Sequence, residues 1–361
     1  MNKIKNCIIR LLYWMLNKSK RHAVDWESPK ILVVSTTALG DTLWSTPFFT
    51  SIKNKYPHAT LAVLTSPLGK QILSEHPAID QLFVLKKPLF FHFFLLLKQL
   101  RKQRFQIILV FHASQRVVFP LCYLLKSSRL IGTKQMNKQL DYLFTDLADY
   151  KNTHEMHRRD QLCQLIHVST PKYMPFYKHP SSAANELTEI LKRHNIDIHR
   201  PYIVIHPGAK DYYKCWPIHS YNQLIALLKK KWASPIIITG TADERALIAP
   251  LIQAHPDLIS LCGKLSLASL AYLIDKAALL ITNDTGPMHL STAVNSKVIA
   301  LFGPTDPKQC GPLSHEKDMA YTLAVAKTCR NCIKRRCKEP FCLMQISPSA
   351  VMDKIGEVLS L

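Results

Sequence analysis

Glycine is scarce, ten in 361 residues. The first strand–loop–helix, from Ile31 to Asn54, carries one glycine in its loop, Gly40, which excludes a G-x-G-x-x-G dinucleotide fingerprint there. A secretory signal is also lacking. In the opening MNKIKNCIIRLLYWMLNKSKRH, Arg10 interrupts a short apolar run and no small-residue cleavage site follows. That run is too short to span a bilayer. Acidic residues are few, 25 against 47 Lys+Arg, for a formal net charge of +22. Such an excess suits an acidic partner, but no RNA- or DNA-binding signature accompanies it, so no nucleic acid is expected. The ten cysteines do not form a secreted disulfide framework in a chain this long.

Hydrophobic residues make up 47%, enough for packed α/β cores, and the length exceeds one ordinary core. The charge is uneven. Residues 1–180 hold 26 Lys+Arg against 10 Asp+Glu, and residues 181–361 hold 21 against 15. The first half is therefore the expected face for an acidic partner. Ile4, Ile8, Leu11, Leu12 and Met15 recur at helical spacing among Lys3, Lys5, Arg10, Lys18, Lys20 and Arg21. This predicts a basic amphipathic helix within residues 1–28, lying on a membrane surface or packed on the protein's own body. The first alternative predicts a cytoplasmic protein, peripheral to the inner membrane.

Buried-type strands alternate with helical patterns from Ile31 onward. Strands are expected at Ile31–Ser35, Leu61–Leu64, Leu82–Leu85, Ile107–Val110 and Leu130–Gly132. Helices are expected from about Thr42 to Asn54, from Ser66 and from Pro88 to Gln103. The last is apolar nearly all round, which predicts burial rather than lipid contact. Residues from about 133 to 200 read as a basic junction holding two helices, His154–Val168 and Ser182–His194. The pattern restarts with strands at Tyr202–Ile205, Pro235–Thr239, Leu258–Leu261, Ala277–Ile281 and Val298–Phe302. Runs of this kind predict mostly parallel, doubly wound sheets. The expected domains are 29–180 and 181–345, with a closing helix over 346–361.

The stretch richest in chemistry is ITNDTGPMHLST, Ile281 to Thr292. A buried strand ends in a tight turn. Asp284 or Thr285 can cap the following helix, Gly286 admits a ligand to the backbone, and Pro287 suits the first helical turn. Strand, turn and helix N-terminus together make an anion site with a carboxylate beside it. An ordinary capped βα turn is the competing reading. Asp41 occupies the equivalent place after the first strand, where it is either a helix cap or a ligand-facing acid.

Five motifs carry a resemblance. They are Gly40-Asp41-Thr42 with Pro47, His206-Pro207-Gly208, Lys214-Cys215-Trp216-Pro217, Asp284-Thr285-Gly286-Pro287-Met288-His289, and Phe302-Gly303-Pro304-Thr305-Asp306-Pro307. In this order the chain resembles the ADP-heptose:lipopolysaccharide heptosyltransferases, glycosyltransferase family 9, over nearly its whole length after residue 28. The resemblance implies a GT-B fold, two Rossmann-like domains facing across a cleft, with acceptor on the first and nucleotide-sugar on the second. It implies inverting transfer from an ADP-heptose-like donor to an acidic lipid A–Kdo core, with Asp41 as general base and Gly40 and Thr42 beside the acceptor. Lys214, Thr285, Gly286 and the turn's amides would stabilise the leaving diphosphate without a metal or cofactor. Asp284 would contact the sugar and His289 steady the phosphate site. His206, Gly208 and Ala209 would line the phosphate side, and Glu244, with Asp243 competing, would bind ribose. Other GT-B nucleotide-sugar enzymes and a non-catalytic glycolipid-binding protein are the alternatives. Cys329, Cys332, Cys337 and Cys342 have spacing suited to a structural zinc, less well to an iron–sulfur cluster held by the same four thiols, with reduced thiols or disulfides the alternative. The resemblance implies no required metal there. It also lets the closing helix cross back toward the first domain.

Overall fold

The computed structural model describes residues 23–86, 89–149, 153–194, 196–197, 200–313, 319–325, 337 and 341–360, with the side chains of 89–91 left out. The expected N-terminal amphipathic helix lies almost wholly outside this range, as do Cys329 and Cys332. The chain divides into two compact units, Met1–Tyr173 and Met174–Leu361. This division falls seven residues before the expected boundary at 180. The local reason is that Tyr177 is buried and donates its N–H to the carbonyl of Ala293, deep in the second unit's sequence.

The first unit runs β1 (Lys30–Ser35), α1 (Leu39–Leu43), α2 (Thr46–Lys55), β2 (Thr60–Thr65), α3 (Pro67–Leu73), β3 (Gln81–Val84), α4 (Leu89–Gln103), β4 (Ile107–His112), α5 (Val118–Leu124), β5 (Arg129–Thr133), β6 (Asp146–Ala148) and α6 (Glu155–Gln164). Its six strands lie in the order β3-β2-β1-β4-β5-β6, with every pairing parallel. Leu32, Val34, Ala62, Leu64, Ile108 and Val110 face one side of that sheet, where Leu96, Leu97, Leu100, Phe119 and Leu121 cover them. The alternation of strand and helix forces this arrangement, because a parallel pair needs a crossover between its strands.

The expected helix over 42–54 is two helices. Pro47 has no N–H to donate to Leu43, and the Thr46 hydroxyl takes that carbonyl instead at 2.7 Å. The chain therefore turns at Trp44–Ser45 and restarts. Expected burial of α4 is corrected too. Leu96, Leu97 and Leu100 are buried, but Phe94 and Leu95 on the opposite face are exposed.

The second unit runs α7 (Ser182–Lys192), β7 (Ile203–His206), α8 (Ile218–Leu228), β8 (Ile236–Ile238), α9 (Arg245–Ala254), β9 (Ile259–Ser260), α10 (Leu267–Asp275), β10 (Leu279–Asn283), α11 (Gly286–Ala293), β11 (Val298–Phe302), α12 (Pro307–Cys310), β12 (Ala320–Ala324) and α13 (Pro348–Leu359). Short 3-10 turns cover Tyr212–Lys214 and Ala242–Glu244. Its sheet is again parallel, in the order β12-β11-β10-β7-β8-β9. Helix α13 belongs to this unit. Val351, Met352, Ile355 and Val358 bury into its core beside Trp216 and Leu224, and the Trp216 indole donates to the Ile346 carbonyl at 3.0 Å. Among the described residues no helix is long and apolar enough to cross a membrane.

Candidate active site

Each sheet reverses its winding once, between β1 and β4 in the first unit and between β7 and β10 in the second. Beyond the carboxyl ends of strands at such a reversal the connecting helices diverge, leaving a crevice. The residues picked out from sequence cluster at these two places.

In the first unit β1 leads into α1, a five-residue helix with Asp41 in its first turn. Ala38 occupies the cap position, so Asp41 is not the cap. Its Oδ1 instead accepts from Arg159 Nη2 at 3.0 Å, and its Oδ2 lies 3.9 Å from Nδ1 of His112, the last residue of β4. Arg159 comes from α6 and is fully buried. Its other nitrogen donates to the Glu155 carboxylate at 2.9 Å, and its guanidinium stands over the Trp44 ring, 5.6 Å from the centroid. Arg158, one residue earlier, ties the same Glu155 to the β4 carbonyl of Phe111 and the Thr133 hydroxyl. The backbone carbonyl of Asp41 is held as well, accepting from the Ser45 hydroxyl at 2.9 Å.

Electrostatics follow from that packing. Burial alone would raise the Asp41 pKa, but His112 and Arg159 outweigh it and leave the carboxyl below its ordinary value. Glu155 likewise resists burial, because Arg159 and Arg158 hold it down to about 2. Burial lowers His112, against the attraction of Asp41. Asp41 is thus an ionised carboxylate with fixed orientation, able to accept a proton from a bound hydroxyl. Gly40 and Thr42 are both buried. The Thr42 hydroxyl donates to Ala38 within the helix, so its side chain serves the turn's geometry.

In the second unit Asn283, last in β10, fastens three loops. Its amide donates to the carbonyls of Pro207 (2.7 Å) and Gly208 (3.3 Å), and its oxygen accepts from the Trp216 N–H and the Tyr221 hydroxyl. The His206-Pro207-Gly208 and Lys214-Cys215-Trp216-Pro217 motifs are thereby bound to the turn that starts α11. Asp284 follows and is buried. Its Oδ2 accepts from Lys214 Nζ and from the Thr305 hydroxyl, each at 2.6 Å. Among the described residues no hydrogen bond falls on Oδ1. Burial would discharge Lys214, but pairing with Asp284 prevails and raises its pKa, so the ammonium stays charged.

Thr285 caps α11 by position, without a side-chain hydrogen bond, and Pro287 sits in the first turn beyond Gly286. His289 is buried one turn further along. The His206 Nδ1 lies 3.1 Å from the Thr239 hydroxyl and its Nε2 4.0 Å from the Glu244 carboxylate. Glu244 also closes a capping box by accepting the Thr241 N–H at 2.7 Å. A Cβ on Gly208 would sit 2.0 Å from the Glu244 Oε1, so only glycine leaves that carboxylate in place. Ala209 is half-buried beyond it, and Lys210 is exposed. Cys337 is half-buried and Cys342 lies in the second unit's core. Among the described residues no group of three or more His, Cys, Asp or Glu side chains is placed to hold a metal.

Sequence reasoning missed Arg159, Glu155 and His112 altogether, and gave no role to Asn283 or Thr305. Thr305 and Asn283 lay inside or beside motifs already marked. Arg159 had only the Arg158-Arg159 pair inside an expected helix to announce it.

The glycosyltransferase family 9 (heptosyltransferase) model matches residues 93–342. A lipopolysaccharide heptosyltransferase 3 of Escherichia coli is 28% identical over 279 residues, covering 74% of this chain and 81% of that protein. Among solved structures, a family 9 glycosyl transferase from Veillonella parvula is 20% identical with a TM-score of 0.79, covering 93% of this chain and 99% of that one. The E. coli heptosyltransferase WaaC, solved with ADP, is also 20% identical, with a TM-score of 0.71 over 91% of this chain and 99% of that one. The two parallel six-stranded units are the GT-B class expected from the motifs. The match over residues 93–342 makes this chain a member of glycosyltransferase family 9, the heptosyltransferases.

Proposed function

We propose that the protein moves a heptose from an ADP-heptose-like donor to an acidic lipid A–Kdo core of lipopolysaccharide, with inversion at the anomeric carbon. The acceptor hydroxyl attacks that carbon in one displacement, and Asp41 takes its proton as the bond forms. Arg159 and His112 face the carboxylate and keep it ionised and aimed. The departing diphosphate gathers negative charge in the transition state. Lys214 and the first amides of α11 oppose it with positive charge fixed beforehand, a role this reading gives to the protein rather than to a metal ion. Asp284 holds Lys214 through Oδ2 and offers Oδ1 to a sugar hydroxyl. Glu244, near His206 and Gly208, is the candidate for the ribose.

The observation that carries the reading is the Lys214–Asp284–Thr305 cluster beside the α11 turn, with Asp284 buried and its two partners half-buried: a charged cation and a carboxylate with an open oxygen, side by side at one sheet reversal. The solved WaaC–ADP complex supports an adenine nucleotide as the leaving group, and the lipopolysaccharide heptosyltransferase 3 relative supports the acceptor class. The enzyme would work in the cytoplasm at the inner membrane, where a lipid-borne acceptor is accessible. Transfer assays with ADP-heptose and with UDP-sugars on core acceptors of defined length test this. Activity with ADP-heptose alone, giving an inverted product, is expected. In Lys214→Ala both donor binding and rate should fall, by on the order of tenfold to a thousandfold in kcat/KM. Unaltered kinetics would remove its diphosphate role.

A further inference from the structure

Helix α4 carries a surface that the transfer reaction does not use. From residue 93 to its end it divides by face. Leu96, Leu97 and Leu100 enter the first unit's core, while Phe94, Leu95, Lys98, Arg101 and Lys102 lie on the opposite stripe and are exposed. At 3.6 residues per turn those five positions share one side of the helix. Phe94, 72% exposed, is the most exposed large hydrophobic residue among those described, and Leu95 beside it is 57% exposed. Arg101 is partly anchored, its Nε donating to the Leu124 carbonyl at 3.1 Å. Among the described residues none of Lys98, Arg101, Lys102 and Arg104 forms an ion pair. The sequence explains why. Between Asp80 and Asp141 there are sixty residues with eleven Lys+Arg and no Asp or Glu.

An exposed aromatic–aliphatic pair costs solubility and gives nothing to the core. Set on the same helix face as three basic side chains, it has the character of a helix lying in a membrane interface. Apolar tips enter the headgroup layer and long cationic side chains reach lipid phosphates. We propose that this face of α4 docks the enzyme on an anionic phospholipid bilayer, with Phe94 and Leu95 inserted and Lys98, Arg101 and Lys102 against the headgroups. The inference rests on the reading above, since a lipid-borne acceptor is what brings the enzyme to such a surface. The charge complementarity favours anionic lipid, and the two apolar side chains favour lipid over a soluble polyanion.

Flotation of the full chain with phosphatidylcholine vesicles, with and without phosphatidylglycerol, tests it. The wild type is expected to float with the anionic vesicles. Phe94→Ser with Leu95→Ser, and separately Lys98→Glu with Lys102→Glu, should each cut the floated fraction by on the order of tenfold or more. In the full chain, Phe94→Trp should add fluorescence that brominated lipid quenches. Flotation of both double variants like the wild type, or an unquenched Trp, would overturn the proposal; the first outcome would pass lipid binding to residues 1–28. Loss on charge reversal alone, with the apolar pair dispensable, would make this a polyanion surface and overturn it equally. Transfer to a deacylated, water-soluble acceptor keeps the two readings apart. Its absence in the wild type removes the proposed function and leaves the vesicle result standing. Its retention in the α4 variants is expected, and shows that they fold.

Discussion

Arg159 has no exposed surface, yet it holds two carboxylates, Glu155 and Asp41, and lies over an indole. A guanidinium can do this because its planar fork presents donors in two fixed directions and a flat face to the ring; a lysine's ammonium has donors but neither the fork nor the face. Arg159→Met strands both carboxylates and should destabilise the first unit by about 3–5 kcal/mol. Arg159→Lys keeps the charge but loses the fork, which separates positioning from folding. Asp41 is depressed below the ordinary carboxylate pKa, so activity falls on the acid side only as pH drops through that lowered value. In Arg159→Lys the acid limb of the kcat profile should move to higher pH. A lower rate with an unmoved limb would mean that Arg159 only supports the fold. Residues of this kind divide what sequence can tell. Asp41 and Asp284 could be singled out because each sits in a short motif just past a strand, and Lys214 because it opens Lys214-Cys215-Trp216-Pro217. Arg159 is separated from Asp41 by more than a hundred positions, and its segment read as a basic junction, because nothing local distinguishes a buried ion pair from a solvated charge run.

Elements were legible where their pattern was strong. The strands β1, β4, β7 and β11 are apolar runs and stand within two residues of their expected bounds. The strand expected at Ala277–Ile281 is shifted to Leu279–Asn283, so polar Asn283 is its last residue, and this brings the stapling amide to the site. The edge strands β6 and β12 went unread because they are short or half-exposed and lack a continuous apolar run. The α4 expectation failed for a different reason. An all-round apolar first half hid a division by face that only the core's position decides. The corner after α3 makes a testable element. His76 packs edge-on against Phe49 of α2, ring centroids 5.4 Å apart, and its Nδ1 accepts from the Ala78 N–H. Burial lowers its pKa to about 4. An unfolded-chain histidine titrates near about 6.5, so the unfolded state binds the proton first. The stability it permits is complete above about pH 6.5 and is lost as pH falls toward 4, on the order of 3 kcal/mol in all. Glu155 acts in a separate, lower window, between about pH 4.3 and its folded value near 2. Urea unfolding midpoints from pH 7.5 down to pH 4.5 should therefore decline. In His76→Phe the decline should be shallower; a slope unchanged by that substitution would assign the acid loss to other groups.

At the scale of the molecule, two sheets of similar winding carry different chemistry. The first unit supplies a carboxylate kept ionised by buried arginine, on a half of the chain holding 26 Lys+Arg against 10 Asp+Glu. The second supplies a paired ammonium, a buried carboxylate and a helix N-terminus. The parallel, doubly wound architecture was readable from the alternation of strands and helices. The exact place of the division was not, because the Pro-rich segment around Tyr177 gives no sign of which sheet it packs on. If base and donor site are separate, a change at one should spare the other. The most direct test is Asp41→Asn, with ADP-heptose affinity and heptosyl turnover measured on the same preparation. The account predicts turnover reduced by roughly a hundredfold to ten-thousandfold with donor affinity nearly unchanged. A near-normal rate, or a loss of donor binding matching the loss of turnover, would contradict it.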